Sequence, residues 1–151
     1  MESNFINIVD ALKTIADNHK QIHSFGFGDL AHINTSGSID YVLMWVKSNG
    51  SIAKRGEVAF KFQILIMDLV RKDESNLIDV LNDTHQVALD VLADIYNNGL
   101  DTVNGTHGFH LKEPEVVLND FVDRFDEEVA GWSMAITVWA SWDWDECAIP
   151  N

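Results

Sequence analysis

A run of strict alternation near the end of the chain constrains the fold more than any other feature. From Trp132 the even positions read Trp132, Met134, Ile136, Val138, Ala140, Trp142 and Trp144. The odd positions read Ser133, Ala135, Thr137, Trp139, Ser141, Asp143 and Asp145. Successive side chains of a strand point to opposite faces, so a period of two predicts a long β-strand with one face buried. Three of the five tryptophans stand on the apolar parity. Trp139 is the exception, an aromatic on the polar parity between Thr137 and Ser141.

The other elements arrange themselves before this closing strand. Phe5, Ile8, Val9, Leu12, Ile15 and Ala16 recur at helical spacing and predict an amphipathic helix over residues 4 to 20, with Asn4 as a candidate N-cap. Residues 24 to 38 are rich in Gly, Ser and Thr and read as a connection from helix to sheet. The segment 39–48 is apolar on both parities and predicts a strand inside the sheet, or one whose second face is covered by a partner. Polar, Gly-punctuated residues 49–56 read as an extended hairpin loop. Residues 57–67 alternate and predict an antiparallel neighbour. Asp73 or Ser75 is a candidate cap for a second helix, whose stripe runs from Leu77 through Val80, Leu81, Ala88, Val91 and Leu92 to Ile95, with Gly99 suited to the left-handed position at its end. Phe109 and Leu111 can start a strand before Pro114, and residues 115–122 predict another, apolar at Val116, Leu118 and Val122. The expected fold is α+β, an antiparallel sheet of about four to five strands packed by two helices. The length suits a single domain over 1–151.

Composition excludes several function classes. The net charge is −14 with only ten Lys and Arg. Phosphate contacts need clustered basic side chains, so the general surface is not one for nucleic acid or anionic lipid. No run approaches the ~18 apolar residues of a membrane span. The N-terminus is acidic and amphipathic, without the basic start and apolar run of a signal peptide. A single cysteine, Cys147, excludes an intramolecular disulfide framework and suits cytosolic synthesis.

No catalytic, cofactor or metal signature stands in the sequence. Phe25-Gly26-Phe27-Gly28 lacks a preceding strand and a following Gly-Lys-Ser/Thr, so it is not a phosphate loop. His19 and His23 have the i, i+4 spacing of a ligand pair but no Glu or Cys at a recognisable interval, and a polar helix end is the better reading. His107 and His110 are equally unaccompanied. Asp120, Asp123, Asp126 and Glu128 do not follow a calcium-loop pattern and read as a solvated turn. Asp143, Asp145 and Glu146 could act as paired carboxylates, but spacing names no acid–base partner; they precede Cys147, and carboxylates raise rather than lower the pKa of a thiol.

Aromatic side chains at the surface are enriched at protein–protein interfaces. Trp139, Trp45 and the two-faced strand 39–48 amount to more apolar surface than one small sheet with two helices hides. Two readings of Trp139 stay open: a subunit interface, or packing under a helix on the second face of the sheet. Lys54 and Arg55, the densest basic pair, complete the candidate interface set of Trp45, Lys54, Arg55 and Trp139.

The layout resembles a known group. An N-terminal helix precedes Tyr41-Val42-Leu43-Met44, a strand ends Ile64-Leu65-Ile66-Met67-Asp68, a long helix runs from Leu77 to Tyr96, and Ala130-Gly131-Trp132 opens a strand ending near Cys147-Ala148-Ile149-Pro150. Across most of its length the chain is similar to small neck and tail-completion proteins of tailed bacteriophages, of the type seen in phages and prophages of Bacteroidetes bacteria. The resemblance implies a tail-terminator-like fold in a homo-oligomeric ring, six- or twelve-fold, joining head to tail with neighbouring portal, neck and tail proteins while DNA passes through without sequence-specific binding. It implies a virion protein assembled in the host cytoplasm, with no membrane, no cofactor and no catalytic residues. An acidic surface suits a channel wall that must not retain DNA, and Lys54 and Arg55 can meet an acidic neighbour in a head-to-tail ring. Two other classes are kept: an acidic adaptor or immunity-type protein that binds a basic partner, and a small enzyme using the acidic groups or the histidines.

Overall fold

The computed structural model of the protein describes residues 4–35, 39–98, 109–124 and 127–141. Helix α1 (Asn4–Asn18) leads into strand β1 (Ser24–Phe27) and a 3-10 helix (Leu30–Thr35). Strands β2 (Leu43–Lys54) and β3 (Glu57–Leu69) form a hairpin, and helix α2 (Leu77–Asn98) follows. Strands β4 (His110–Leu111), β5 (Leu118–Arg124) and β6 (Glu128–Ser141) complete the described elements. The architecture is α+β. The sheet order is β1-β2-β3-β6-β4, with β5 also paired to β6. β4 faces Trp139 and Val138 of β6, and β5 faces its stretch from Met134 back to Glu128, so the two short strands share one edge.

The alternation predicted for the closing strand is present across its described part. Ala130, Met134, Ile136, Val138 and Ala140 are all buried. They share a face with Phe62, Ile64 and Ile66 of β3 and Met44 and Val46 of β2, and both helices pack there. α1 contributes Ile8, Ala11, Leu12 and Ala16, and α2 contributes Val87, Ala88, Val91 and Ile95. Phe5 reinforces the contact, with its ring centroid 5.5 Å from that of Phe60 and 5.7 Å from that of Phe62. Trp132 ties β6 to α2: its indole N–H donates to the Leu81 carbonyl at 2.8 Å, and its ring meets His85 edge-on at 4.7 Å.

Four expectations need correction. The Gly-rich connection contains a strand, β1, which pairs in parallel with β2 through Ser24↔Leu43 to Phe27↔Val46. The sheet is therefore mixed and six-stranded rather than antiparallel with four to five strands. Gly26 is what permits the pairing: a Cβ there would lie 2.2 Å from the Trp45 ring, which occupies that space. The loop expected at 49–56 is instead ladder, interrupted by an irregularity between Ser48 and Ser51 and closed by the pair Lys54↔Glu57. Arg55 and Gly56 form the turn, and Gly56 takes φ 84°, a left-handed conformation that costs glycine least. Neither Asp73 nor Ser75 caps α2. Asp73 Oδ1 accepts the Ser75 amide at 3.0 Å, which holds the Asp73 carboxyl below its usual range, and the last residue before the helix is Asn76. On β5, Val122 is exposed and Phe121 packs on the opposite side, so its apolar residues serve both faces. Asn4 is itself the first residue of α1, and Gly99, His107, Asp126 and the stretch from Trp142 to Pro150 lie outside the described residues.

A parallel pair cannot be joined by a tight turn; the chain must cross a face of the sheet to return. Here the described parts of the crossover, residues 28–35 and 39–42, lie on the face opposite the helices. Leu30, Ile33, Ile39 and Tyr41 cover Leu43, Trp45, Leu65, Met67 and Val129. This explains why β2 is apolar and buried on both parities from Leu43 to Val46, whereas no residue of it from Lys47 onward is buried.

Gly131 marks the tightest approach within the sheet. A Cβ there would lie 1.8 Å from the Ile66 carbonyl oxygen and 2.9 Å from Met67 Cα. Neither neighbour is a flexible side chain, so the backbone of β3 or β6 must shift. Gly131→Ala is expected to destabilise the protein by about 2 kcal/mol, within the range for overpacking, and to lower Tm by roughly 4–8 °C for a domain of this size. Urea and thermal unfolding check this, and an unchanged Tm would contradict it.

Candidate functional site

Past the crossover no described element covers the second face of the sheet, which is open among the described residues. Register places Lys47, Gln63 and Ala135 in one row across β2, β3 and β6, Lys61 beside Thr137 in the next, and Ile52, Ala59, Trp139 and His110 in the third. Lys54, Glu57 and Ser141 close it at the hairpin end. Ala59 is fully buried between its neighbours, whereas Lys54, Lys61, Ala135 and Ser141 are exposed.

Trp139 is the centre of this face. Lys112 Nζ sits 4.2 Å from the centroid of the indole and Lys54 Nζ 4.9 Å from it. Both distances are in the range of a cation–π contact. The two ammonium groups converge beyond the ring on Glu57, Lys112 at 2.8 Å and Lys54 at 3.4 Å. The lysine chains lie along the aromatic surface and keep their charged ends in water, as amphipathic side chains do. Trp139 is half-buried in consequence. Its Nε1–H is enclosed and has no acceptor among the described residues, and burying such a group without a partner carries a desolvation cost.

Lys47, Lys54, Lys61 and Lys112 are four of the ten Lys and Arg in the chain. Glu57 is the one carboxylate among the residues just placed on the open face, so these described residues together carry net positive charge on a chain whose total is −14.

The four sequence-predicted interface residues separate. Trp139 and Lys54 come together as described. Arg55 is exposed at the hairpin tip next to them. Trp45 is elsewhere: it is 6% exposed, lies under the crossover, and donates its indole N–H to the Gly28 carbonyl at 2.9 Å. Its apolar surface is satisfied within the chain, so it is a core residue and not an interface residue. Trp139 does not pack under a helix among the described residues; both helices lie on the opposite face. Sequence reading missed Lys112, which arrives from a short strand 27 residues away, and missed Lys47 and Lys61. The parity of Lys47 and Lys61 in the alternating runs was the available signal.

The other candidate groups are engaged singly. α1 ends at Asn18, so His19 and His23 do not share a helical face. His19 Nδ1 accepts the Gln21 amide at 3.1 Å, which leaves Nε2–H to donate to Asp90 at 2.9 Å. His23 Nδ1–H donates to the Tyr41 carbonyl at 2.8 Å. Asp120 and Asp123 point to opposite faces of β5, as their register partners Trp132 and Val129 show. A cleft of about 300 Å³ beside His23 also takes in Lys20, Asp68 and Asp83, and Asp68 Oδ1 accepts the Leu69 amide there at 2.7 Å. A wider cleft of about 650 Å³ at the same, C-terminal end of β3 mixes Arg71, Lys72 and Arg124 with Glu127 and Glu128. Among the described residues no three or more His, Cys, Asp or Glu side chains stand close enough to hold a metal ion, and no helix is long and apolar enough to cross a membrane.

No protein-family model matches the chain, and no curated protein matches it.

The Glu57 carboxyl is held below the usual glutamate range, first by its hydrogen bond with Lys112, then by the charges of Lys112 and Lys54. A carboxyl whose folded pKa is depressed contributes stability that is present above the unfolded pKa and is lost as pH falls through the folded one. Lys112→Met is expected to move the Glu57 titration up toward the ordinary range, and Lys54→Met to move it less. Side-chain NMR titration of Glu57 measures both shifts, and equal shifts or none would contradict the geometry.

Proposed function

We propose that the protein is a structural subunit that works by burying surface between copies: a neck or tail-terminator ring subunit of a tailed bacteriophage, joining head to tail around the DNA channel. The observation that carries this reading is the open half of the second sheet face, where Trp139 lies between Lys54 and Lys112 on an otherwise strongly acidic chain. A half-buried tryptophan flanked by cations fits the interior of an interface better than a free surface. The α+β layout with two helices on one face agrees with the phage resemblance. The acidic remainder of the surface suits a wall past which DNA must move without sticking. The ring is closed and homo-oligomeric, six- or twelve-fold, and assembles without turnover in the host cytoplasm before it becomes part of the virion.

A second reading has one observation in its favour. α2 carries Asp79, Asp83, Asp90 and Asp94 and no Lys or Arg, a surface that an acidic adaptor or immunity-type protein would offer to a basic partner.

Trp139→Asp separates structure from assembly. The variant is expected to keep the far-UV circular dichroism of the folded subunit and to lose the ring. Native mass spectrometry of the wild type should show a six- or twelve-fold species, and the variant only the monomer. Normal assembly by the variant would remove Trp139 from the interface. A one-to-one complex of a wild-type monomer with a basic protein would favour the adaptor reading instead.

A further inference from the structure

We propose that the open sheet face receives the outer face of α2 from a second copy of this chain. The contact, which rests on the reading of the chain as a self-assembling subunit, is head-to-tail. Three observations specify it.

The first is charge. The open face presents Lys47, Lys54, Lys61 and Lys112, and α2 is a 22-residue helix with four aspartates and no Lys or Arg. Asp79 and Asp83 are exposed and one helical turn apart, so they line one stripe. A symmetric contact of the sheet face with itself would set lysines against lysines, and of the helix with itself aspartates against aspartates. Only the unlike pairing is favourable.

The second is apolar surface. α2 exposes Ile78 to 83%, Leu89 to 39% and Tyr96 to 42%. Their separations of eleven and seven residues put all three on one side of the helix, next to the aspartate stripe. The sheet face offers Trp139 together with Ile52, which is 39% exposed. Each surface thus has an apolar centre with charge of one sign at its border, the usual anatomy of a protein interface. The lengths agree: Ile78 to Leu89 spans about 16 Å of helix, and Glu57 to Lys61 spans about 13 Å of strand.

The third is placement. α2 lies on one face of the sheet and the open half is on the other. One subunit can therefore use both surfaces at once. A contact between two different surfaces on opposite sides of a subunit is heterologous, and it generates a closed ring or an open filament according to its rotation.

An arriving aspartate competes with Glu57 for Lys54 and Lys112. Drawing those ammonium groups off the indole uncovers Trp139, including its unpaired N–H, to the neighbour. The docking helix thereby takes over contacts that the isolated subunit makes within itself.

A charge swap tests the contact. Lys54→Glu/Lys112→Glu alters only the sheet face, and Asp79→Lys/Asp83→Lys only the helix. Asp90 is left intact because it accepts from His19. Each double variant alone is expected to self-associate more than tenfold more weakly in sedimentation velocity. The equimolar mixture of the two, in which a basic helix can meet an acidic face, is expected to recover assembly with both chains present. Zero-length carbodiimide cross-linking of mixed labelled and unlabelled wild type is expected to join Lys54, Lys61 or Lys112 of one copy to Asp79 or Asp83 of another, and it needs no variant to fold. Wild type that assembles, with unaffected variants or with intermolecular links only elsewhere, overturns the α2 contact and leaves the ring standing. Wild type that stays monomeric at hundreds of micromolar overturns both.

Discussion

The pairing of β3 with β6 is the constraint on which the rest of the structure depends. Thirteen consecutive register pairs run from Glu57↔Ser141 to Leu69↔Val129. Because the side-chain period of a strand is two, this register decides at once which residues of both strands meet the helices and which do not. A slip by one residue would move Ile64, Ile66, Met134 and Ile136 out of the core and bring Lys61, Gln63 and Thr137 into it. The backbone approach at Gly131, which leaves no room for a Cβ against Ile66, pins the same register from within. Helices α1 and α2 bury the face so defined, and Trp132 holds α2 to it through the Leu81 carbonyl.

The opposite face is governed by the length of one connection. β1 is parallel to β2, so the chain must cross the sheet between them, and the described parts of that crossing, 28–35 and 39–42, cover Leu43, Trp45, Leu65, Met67 and Val129. The boundary of cover coincides with a change of chemistry. On the covered side the outward residues of β2 and β3 are apolar; beyond it Lys47, Gln63 and Lys61 come first, before Ile52 and Ala59 in the row of Trp139. Trp139 stands beyond the boundary, and the subunit's own answer to an exposed indole is to lay two lysine chains along it. A positive face on an acidic chain and an acidic helix on the far side of the same sheet are complementary surfaces of one subunit. This complementarity underlies the proposal of a ring.

Much of this fold was legible in the sequence. The alternation at 57–67 and from Trp132 onward, and the stripe from Leu77 to Ile95, are strong periodic signals set by burial of a single face. Tertiary context set the rest. β1 is four residues long with a central glycine, too short to show a period, and its strand character comes from Trp45 packing where a Cβ would be. The segment 49–56 looks like loop because its residues are polar and contain glycine, yet the exposed end of a hairpin needs no apolar side chains to continue its ladder. Trp45 and Trp139 are indistinguishable by composition; only the crossover, a long-range feature, buries one and leaves the other on the open face. The candidate face was half readable for the same reason. Lys54 and Trp139 stand out locally, but Lys112 joins them through strand pairing between segments distant in the chain.

On the proposed reading, copies of this chain assemble through the open, positively charged half of the sheet. Light-scattering mass, measured at fixed concentration across a range of salt, tests it most directly. Screening weakens attraction between partly exposed charges, so the account predicts a closed oligomer at low salt that dissociates toward the monomer as salt rises. A mass equal to the monomer at every salt concentration, or an oligomer that salt does not touch, would contradict it.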